Sequence, residues 1–536
     1  LFRQSAYESA FRQSAYESAF RQSAYESAFR QSKSKLVQIR CPFCRDENCI
    51  VTKVPHKISK SKNTILAIFA KPYSLNKVLN INTFKSVILS YQNDEIFQEK
   101  TAQMIFGSIS FNGVIPVSIV DKFKVGDGIK TSIINRLSYG LPESVNIDSR
   151  KLNRIDSIVN LSIDSMMTPG VQLIIAKNSK VIFDKSYGKL RYDKDNIVNS
   201  TTKYDLASLT KILVTLPLVM KLYDNNIISI DSKLKEILPH YNGTNKSDVT
   251  IKEMLSHFSY FQAWIPFYKQ TIDTISGNLK KHLYNTKRDK EFTLKINNNL
   301  YLLSSYKDTI LNQIKESKLI DERYKYSDLP YLILQEYIED YYSSDLDNLS
   351  RKHFFNSIGA NSFMFNPANS ISIENIAPTE IDVYFRNQEV VGYVHDMAAA
   401  MLGGVAGHAG LFGNANDVAK IMQMYIQNGN YGGIQYLKPE TINTFNTCNY
   451  CSEGNRRGIG FDKPQLEDEG PTCGCISMNS FGHSGWTGTY AWADPDEEIV
   501  YVFLSNRSYP NDPENKLLNY NIRTEIQRLL YESINK

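Results

Sequence analysis

The chain has 536 residues, of which 42% are hydrophobic and 22% are charged, and its formal net charge is +5. This length predicts two or three domains, and the composition is near the average of folded globular proteins. The basic and acidic residues are spread along the chain without a long basic block, so we expect no nucleic-acid partner. No apolar run approaches the ~20 residues that cross a bilayer, so we predict no transmembrane segment in this chain. The chain begins with Leu1 and shows no secretory signal pattern, so its localisation is unknown from these features.

The first residues form a repeat: residues 2–28 are three copies of the nonapeptide FRQSAYESA. Nine residues make about two and a half helical turns, so the repeated phenylalanines would alternate between opposite sides of a helix. Because no single apolar face results, we predict a disordered low-complexity tail over residues 1–63. Cys41, Cys44 and Cys49 resemble the first half of a zinc ribbon, but tetrahedral zinc needs four ligands, so we interpret this segment as incidental.

A regular pattern begins at about residue 64. TILAIFA and KSVILSYQ predict two strands, and EIFQEKTAQMIFGSI predicts an amphipathic helix, so we expect a small α/β segment over residues 64–140. Its motifs KPY, SYQND and FKVGDGI resemble the end of the C-terminal domain of family 3 glycoside hydrolases. The catalytic aspartate of that family lies on a preceding barrel, for which this chain has no room, so the resemblance implies a remnant without glycosidase activity. The Pro- and Gly-containing stretch that follows predicts a linker ending near residue 150.

The remaining segment, residues 150–536, has strand patterns at both of its ends. GVQLIIAKNSKVIFDKSYG predicts a hairpin that turns at residues 177–179, and GTYAWADPDEEIVYVFLSNR predicts another that turns at residues 494–496. NIRTEIQRLLYESI then predicts a helix, and the segments between the hairpins are mostly helical. The simplest arrangement is an α/β (α+β) domain, in which one antiparallel sheet is assembled from both ends, is flanked by helices and has an all-helical insertion.

The first chemical motif is the pair Ser208 and Lys211, at the front of the apolar run ILVTLPLVMKLY. Three residues apart on a helix, the two side chains share a face, which brings the ammonium within reach of the hydroxyl. The helix N-terminus adds partial positive charge beside the same oxygen, so both effects favour Ser208 as a nucleophile. The common alternative for this pattern is an N-cap serine with a solvated lysine. Pro217 lies inside the predicted helix and should kink it.

The second motif is Tyr326-Ser327-Asp328, which directly precedes an apolar helical run. A tyrosine with a pKa of about 10 is a poor base at neutral pH, but a nearby Lys211 ammonium would favour its phenolate. Tyr326 could then accept the serine proton. The alternative is a structural tyrosine, since the chain holds 33 of them.

The third motif is His483-Ser484-Gly485-Trp486, just before the predicted strand GTYAWADP. Gly485 would let a substrate approach the strand edge, and the Trp486 N–H could share an oxyanion with the N–H of Ser208. His483 would supply a third polar group near the site.

In this order, the three motifs resemble those of the serine β-lactamase-like superfamily, namely S-x-x-K, Y-x-N and K-T-G or H-T-G. That superfamily contains class C β-lactamases, DD-peptidases and related esterases, and the resemblance covers about residues 150–535. It implies an acyl-enzyme hydrolase without a cofactor. The catalytic positions that it implies are Ser208, Lys211, Tyr326 and His483, and the oxyanion or substrate-binding positions are Trp486, Ser484, Gly485 and Asp328.

The chain departs from the pattern of the superfamily at several positions. Asp328 replaces the usual asparagine, His483 the usual lysine and Ser484 the usual threonine. A carboxylate at 328 changes the charge near the substrate, and a histidine at 483 makes the local charge depend on pH around 6.5. Tyr260 and Phe261 stand where glycine and leucine are usual, in the segment MLSHFSYF.

Two further segments carry potential ligands. VHDMAAAMLGGVAGHAGLFG contains His395, Asp396 and His408, which we interpret as part of a close-packed glycine loop near the pocket rather than as a metal site. Near the C-terminus the chain has the cysteine pairs Cys448/Cys451 and Cys473/Cys475, for which zinc, disulfides and free thiols all remain open.

Two functional hypotheses follow. The first is a serine hydrolase that acts on a peptide, amide or ester, with a small molecule or a peptidoglycan fragment as substrate. The glycine loop and the upstream segment together resemble fusions of an N-acetylglucosaminidase-type hydrolase with a β-lactamase-like domain, which implies cell-wall material as substrate and an exported or periplasmic location. The second hypothesis is a non-catalytic penicillin-binding or sensor module that retains the pocket.

Overall fold

A computed structural model describes residues 35–38, 64–78, 80–119, 121–467, 469–511 and 513–535. The chain divides into two compact units, residues 1–138 and 139–536. The nonapeptide repeat and the first three cysteines lie outside the described residues, so our interpretation of them stays a prediction. Among the helices of the described residues, none is long and apolar enough to cross a membrane.

The first unit contains a three-stranded parallel sheet, in the order β1-β2-β3, and one longer helix. These elements are β1 (Lys35–Gln38), β2 (Thr64–Ile68), β3 (Ser86–Leu89) and α1 (Glu95–Ile105). The Asp94 carboxylate caps α1 by accepting a hydrogen bond from the Phe97 N–H, which explains why the helix begins there. Leu75, Ile81 and Ile119 form a small apolar core. The two predicted strands and the predicted helix are therefore confirmed.

The main sheet of the second unit has the order β17-β18-β19-β5-β6-β4, and its neighbouring strands from β17 to β6 are antiparallel. The strands are β4 (Ser138–Tyr139), where the unit begins, β5 (Gly170–Lys177), β6 (Lys180–Gly188), β17 (Phe481–Ser484), β18 (Tyr490–Asp494) and β19 (Ile499–Ser505). Strand β19, near the C-terminus, pairs with β5, near the start of the unit. This confirms the prediction of one sheet assembled from both ends.

The hairpin between β5 and β6 follows from its turn residues. Lys177 pairs with Lys180, so the loop consists of Asn178 and Ser179 alone. Both residues have positive φ, of 51° and 59°. Two successive left-handed residues match the twist of a two-residue hairpin, and asparagine tolerates that conformation well.

Helices cover both faces of the main sheet. On one face, α2 (Ser149–Leu152), α3 (Ile155–Asp164) and α15 (Ile522–Glu532) pack over the odd-numbered side chains of β5. On the other face, Gln172 of β5 accepts a hydrogen bond from the backbone of α12 (Ala415–Ile426). Val145 and Ile147 belong to the same core as α3, so the stretch that we predicted to be a linker is part of the second unit.

Helices are the main regular elements of the insertion between β6 and β17, but the insertion also contains short strands, which corrects our expectation that it is all-helical. Its helices are α4 (Leu216–Asp224), α5 (Leu234–Ile237), α6 (Ile251–Leu255), α7 (Tyr306–Glu316), α8 (Leu329–Tyr342), α9 (Leu346–Ser350), α10 (Asn356–Ile358), α11 (Met397–Met401), α12 and α13 (Pro439–Asn446), and α14 (Lys516–Asn519) precedes α15. Its strands are β7 (Tyr204–Asp205), β8 (Tyr284–Asn285), β9 (Leu294–Asn297), β10 (Leu300–Leu302), β11 (Met364–Phe365), β12 (Glu380–Asp382), β13 (Gln388–Val390), β14 (Leu411–Gly413), β15 (Asn430–Tyr431) and β16 (Ile434–Gln435). Asn299, with φ of 51°, makes the tight turn from β9 to β10.

The four C-terminal cysteines form two disulfides, Cys448–Cys451 and Cys473–Cys475. Each bond closes a short loop within the segment between α13 and β17. Of the three states left open by the sequence, the disulfide is therefore the one that the structure contains.

Candidate active site

Ser208 stands at the sharp turn from β7 into the long apolar helix of the insertion. The preceding residue, Ala207, has φ of 47°, an uncommon conformation for a residue with a Cβ. The Asp205 carboxylate supports this turn by accepting hydrogen bonds from the N–H groups of Ala207 (2.9 Å) and His395 (2.7 Å). The turn therefore holds Ser208, which is half-buried, at the front of the helix.

Lys211 is fully buried and makes three hydrogen bonds. Its Nζ donates to Ser208 Oγ at 3.1 Å, to Asp328 Oδ1 at 2.6 Å and to the carbonyl of His408 at 3.1 Å. Burial lowers the pKa of Lys211, but the charge of Asp328 and the phenol of Tyr326 outweigh burial and raise it above the ordinary 10.5. Lys211 is therefore an ammonium at neutral pH, and the predicted contact with Ser208 is present.

Pro217 is accommodated by a π-helical turn over Lys211–Thr215. The Leu216 N–H bonds to the carbonyl of Lys211, five residues back, and α4 starts at Leu216 with Pro217 in its first turn. Pro217 has no N–H to donate, and the carbonyl five residues before it, that of Ile212, accepts a hydrogen bond from Tyr425 Oη at 2.7 Å instead. The wide turn also places Thr215 Oγ1 2.6 Å from the carbonyl of Gly407.

The ring of Tyr326 lies among two cations and two imidazoles, which together we call the tyrosine cluster. The Lys211 ammonium lies 5.2 Å and the Arg457 guanidinium 5.1 Å from its centroid. The ring centroids of His257 and His483 lie 4.6 Å and 5.8 Å away. Tyr326 thus lies beside two positive charges, those of Lys211 and Arg457.

His483 lies on β17, at the edge of the main sheet, where its Nδ1 is 2.7 Å from the carbonyl of Ser484. Burial, with the charges of Arg457 and Lys211, lowers the pKa of His483 to about 3. The imidazole is therefore neutral at neutral pH. This corrects our expectation of a charge that changes near pH 6.5, because that value belongs to a solvated imidazole.

The turn after β17 is tied to the segment that leads into Ser208. Thr487 Oγ1 donates to the carbonyl of Asp205 (2.8 Å), and Thr489 Oγ1 donates to that of Leu206 (3.1 Å). A Cβ on Gly485 would lie 2.9 Å from the Leu206 carbonyl, so this approach requires glycine. Trp486, at the tip of the turn, is 58% exposed. The third motif is thus brought to the nucleophile turn, while the oxyanion roles of Trp486 and Ser208 stay predictions.

The glycine loop packs against the Lys211 helix, in line with our interpretation of it. A Cβ on Gly407 would lie 2.3 Å from the carbonyl of Tyr331, so only glycine fits between the loop and α8. The next residue, His408, presents its carbonyl to Lys211. Tyr260 shows how the chain departs from the usual pattern, since it has φ of 60° at a position where the superfamily has glycine.

Asp328, Asp396 and His408 come together beside Lys211, each with one ligand-type atom within 4.8 Å of the others. His408 Nε2 lies 2.8 Å from Asp396 Oδ1. Although burial raises the pKa of Asp396, the His408 imidazole lowers it more, to well below its usual range. His395, the third residue of the metal alternative, instead contacts Glu380 at 3.2 Å. Asp328 is already paired with the Lys211 ammonium. These three residues therefore have a positively charged partner within the protein.

Two residues of the tyrosine cluster were missed by sequence reasoning. His257 accepts a hydrogen bond from the Ser327 N–H (3.1 Å), and Arg457 is held by Tyr324 Oη (3.2 Å) and Asp462 (3.5 Å). Asp462 in turn pairs through its backbone with Gly482, next to His483. In the sequence, Arg457 follows Arg456 in a polar stretch, which is typical of a solvated loop and does not mark a buried cation.

Two observations define the class of protein. An antiparallel sheet carries an edge strand with a His-Ser-Gly turn, and a helix starting with a Ser–Lys pair packs beside it. Residues 159–523 match the family model described as Beta-lactamase. This match covers more than half of the chain, and the chain therefore belongs to the β-lactamase family.

Curated relatives from enteric bacteria carry the name "Putative D-alanyl-D-alanine carboxypeptidase". The protein from Escherichia coli K12 is 29% identical over 403 residues, which cover 70% of this chain and 86% of that protein. The one from Salmonella enteritidis PT4 is 28% identical over 406 residues, covering 70% and 87%.

Solved structures share the fold at low identity. EstCE1, a hydrolase with promiscuous acyltransferase activity, has a TM-score of 0.52 and 16% identity, covering 71% of this chain and 99% of that one. Simvastatin synthase from Aspergillus terreus has a TM-score of 0.51 and 12% identity, covering 71% and 95%. The family and the fold are those of β-lactamase-like hydrolases.

Proposed function

We propose that the protein is a serine hydrolase that forms an acyl-enzyme on Ser208 and acts on a peptide, amide or ester. The observation that carries this proposal is the 3.1 Å hydrogen bond from the buried Lys211 ammonium to Ser208 Oγ, at the start of a helix. A fixed positive charge there stabilises the alkoxide that attacks a carbonyl. The name of the enteric relatives makes peptides ending in D-alanyl-D-alanine the first amides to test.

The reaction needs a base for the serine proton, and Lys211 is already protonated. In the proposed mechanism, Tyr326 as its phenolate accepts the proton as Ser208 Oγ bonds to the substrate carbonyl carbon. The N–H groups of Ser208 and Trp486 stabilise the resulting oxyanion. Tyr326 then returns the proton to the leaving group as the carbonyl–leaving-group bond breaks.

Deacylation repeats these steps with water. Tyr326 removes a proton from a water molecule as the water oxygen attacks the acyl carbon. The bond between this carbon and Ser208 Oγ then breaks, and Tyr326 returns the proton to Oγ. Asp328 has a supporting role, because its carboxylate holds Lys211 as an ammonium throughout the cycle. Ser484 and Gly485 border the substrate at the sheet edge.

A direct test is steady-state hydrolysis of p-nitrophenyl acetate and of a D-alanyl-D-alanine peptide. We expect turnover of at least one substrate by the native chain and none above background by Ser208→Ala. Equal turnover by both proteins would overturn the proposal.

A second candidate function, a non-catalytic penicillin-binding or sensor module, is favoured by the raised pKa of Lys211, which leaves the lysine unable to act as a free base. The two functions differ in the fate of the acyl-enzyme. A hydrolase releases the acyl group and turns over again, whereas a sensor keeps it on Ser208.

We further infer that residues 64–140 are a remnant of a family 3 glycoside hydrolase C-terminal domain. The parallel strands β2 and β3 followed by α1 are compatible with this α/β origin. We expect the chain to release no sugar from p-nitrophenyl N-acetyl-β-glucosaminide. Sugar release that survives in Ser208→Ala would contradict the remnant assignment.

A further inference from the structure

A cavity lies beside the Lys211–Asp328 ion pair, and it has one polar end. Asp328, Asp396 and His408 form this end, and apolar and aromatic side chains, among them Trp264 and Tyr268, form the rest of the wall. We call this space the carboxylate cavity. Lys211 is hydrogen-bonded to both Asp328 and Ser208, so the cavity is next to the proposed nucleophile.

Each carboxylate of the cavity uses only one of its two oxygens in the hydrogen bonds of the described residues. Asp328 uses Oδ1 for Lys211, and Asp396 uses Oδ1 for His408 and for the Ala399 N–H. For the Oδ2 atoms, no hydrogen bond is found within the described residues, and neither atom is among the buried unpaired atoms there. The side chains of Asp328 and Asp396 are 23% and 34% exposed. These oxygens can therefore accept hydrogen bonds from a ligand.

Two carboxylates line the cavity, and of these only Asp328 is paired with a lysine among the described residues. The Asp396 carboxylate contacts the His408 imidazole through Oδ1, and against the effect of burial this contact lowers the pKa of Asp396. His408 is 98% withdrawn from solvent, and its Nδ1 is buried without a hydrogen-bond partner among the described residues. No lysine or arginine side chain stands among the described residues that line the cavity. Its polar end is therefore suited to a cation.

The aromatic wall adds to this preference. Trp264 is 48% exposed, so its ring is open to a ligand, and Tyr268 lies at the same cavity. Aromatic faces attract ammonium groups, and tryptophan does so most strongly. A small organic ammonium fits this combination better than a bare metal ion, because it satisfies carboxylate oxygens through N–H bonds and an aromatic face through its C–H surface.

We propose that the carboxylate cavity binds a primary ammonium group of the substrate, so that the enzyme selects acyl groups that carry an amine. This inference rests on the proposed serine hydrolase function. Asp396 is its main specificity-determining residue, since Asp328 is already engaged by Lys211. The chemical class is an amino-acyl ester or amide, such as a peptide segment with a free amine near the scissile bond.

The test compares matched p-nitrophenyl esters. Glycyl, β-alanyl and 6-aminohexanoyl esters carry an ammonium, and propanoyl, butanoyl and heptanoyl esters carry a methyl group at the same position. We expect kcat/KM to favour at least one amino ester over its partner by about tenfold, the effect of a charged hydrogen bond. In Asp396→Asn this ratio should fall at least about fivefold. Asparagine can still cap α11, so the variant is expected to fold.

The matched control is Glu525→Gln, which removes one negative charge from the partly exposed pair with Arg528 on α15. It should leave the ratio of amino to alkyl ester unchanged. Equal kcat/KM for both members of every ester pair, or equal losses for both members in Asp396→Asn, would overturn the inference.

A binding measurement separates this inference from the proposed function. Calorimetric titration with benzylammonium and with benzyl alcohol needs no turnover, and it can be run on Ser208→Ala. We expect benzylammonium to bind about tenfold more tightly than the alcohol and to lose this advantage in Asp396→Asn. Selective ammonium binding by a chain that hydrolyses no ester would refute only the hydrolase, whereas ester hydrolysis with no ammonium preference would refute only the cavity assignment.

Discussion

The two sides of Lys211 differ in charge and in exposure. The tyrosine cluster on one side contains a guanidinium and two buried imidazoles around a phenol ring. The carboxylate cavity on the other side contains two partly exposed acids. One lysine thus joins a buried region suited to moving a proton with an open region suited to holding a substrate. Because the Lys211 ammonium contacts both Asp328 and the Tyr326 ring, a change of charge on one side should also affect the other side.

The largest effect is expected when the proposed nucleophile, Ser208, is removed. Ser208→Ala should lower kcat for any ester substrate by about 10³-fold or more, as removal of a nucleophile does elsewhere. The exposed serine variant Ser276→Ala serves as the control and should retain full activity. The measurement is kcat at steady state, after any initial burst of product. A decrease in kcat of less than tenfold in Ser208→Ala would place the chemistry on another residue.

A second change removes the ionic link between Lys211 and the carboxylate cavity. In Asp328→Asn, the largest of the contributions that oppose burial is removed, so the pKa of Lys211 should fall and its ammonium should deprotonate at a lower pH than in the native chain. We expect the ratio of ester turnover at pH 9 to that at pH 7 to fall by about tenfold relative to the native chain. An unchanged pH profile would show that Asp328 does not set the charge of Lys211.

A third change acts on the tyrosine cluster. Arg457→Met should lower kcat by about tenfold with a smaller change in KM, because the lost cation lies 5.1 Å from the Tyr326 ring. Arg457→Lys keeps the charge and should recover part of the loss. Equal defects in both variants would indicate that the arginine acts through packing, and circular dichroism would check that both remain folded.

The smallest effect on catalysis, but a measurable effect on stability, is expected from the neutral His483. Its folded pKa of about 3 is below the unfolded value of 6.5, so the unfolded chain binds the extra proton and stability falls as the pH drops from 6.5 towards 3. Between pH 7 and pH 4.5 this residue should cost about 2 kcal/mol of unfolding free energy. Urea unfolding of His483→Asn should show a correspondingly weaker pH dependence.

Local patterns predicted the frame of the site. The turn at Asn178 and Ser179, the strand-forming runs of β18 and β19, and the three-residue spacing of Ser208 and Lys211 are all encoded by neighbours in the chain. The short spacing within each cysteine pair also made a disulfide one of the predicted alternatives, and both pairs form disulfides in the structure.

Long-range packing decided what the sequence could not show. Arg457 reaches Tyr326 from a segment more than a hundred residues away, and Asp396, in the glycine loop, lies within 4.8 Å of Asp328. The expected charge of His483 was wrong because burial and two cations act on it only in the fold. The hairpin of β9 and β10 was missed because its turn signal, a run of asparagines, lies in a stretch otherwise taken as helical.

Intact-mass spectrometry can detect an acyl-enzyme on Ser208 without relying on turnover. The native chain and Ser208→Ala would each be incubated with a fluorescent penicillin and with an activated ester, and their masses followed over time. The account predicts an adduct on the native chain that forms with at least one probe, is absent from Ser208→Ala and decays at the rate of turnover. An adduct that persists would favour the sensor function, and the absence of any adduct, or equal labelling of both proteins, would contradict the account.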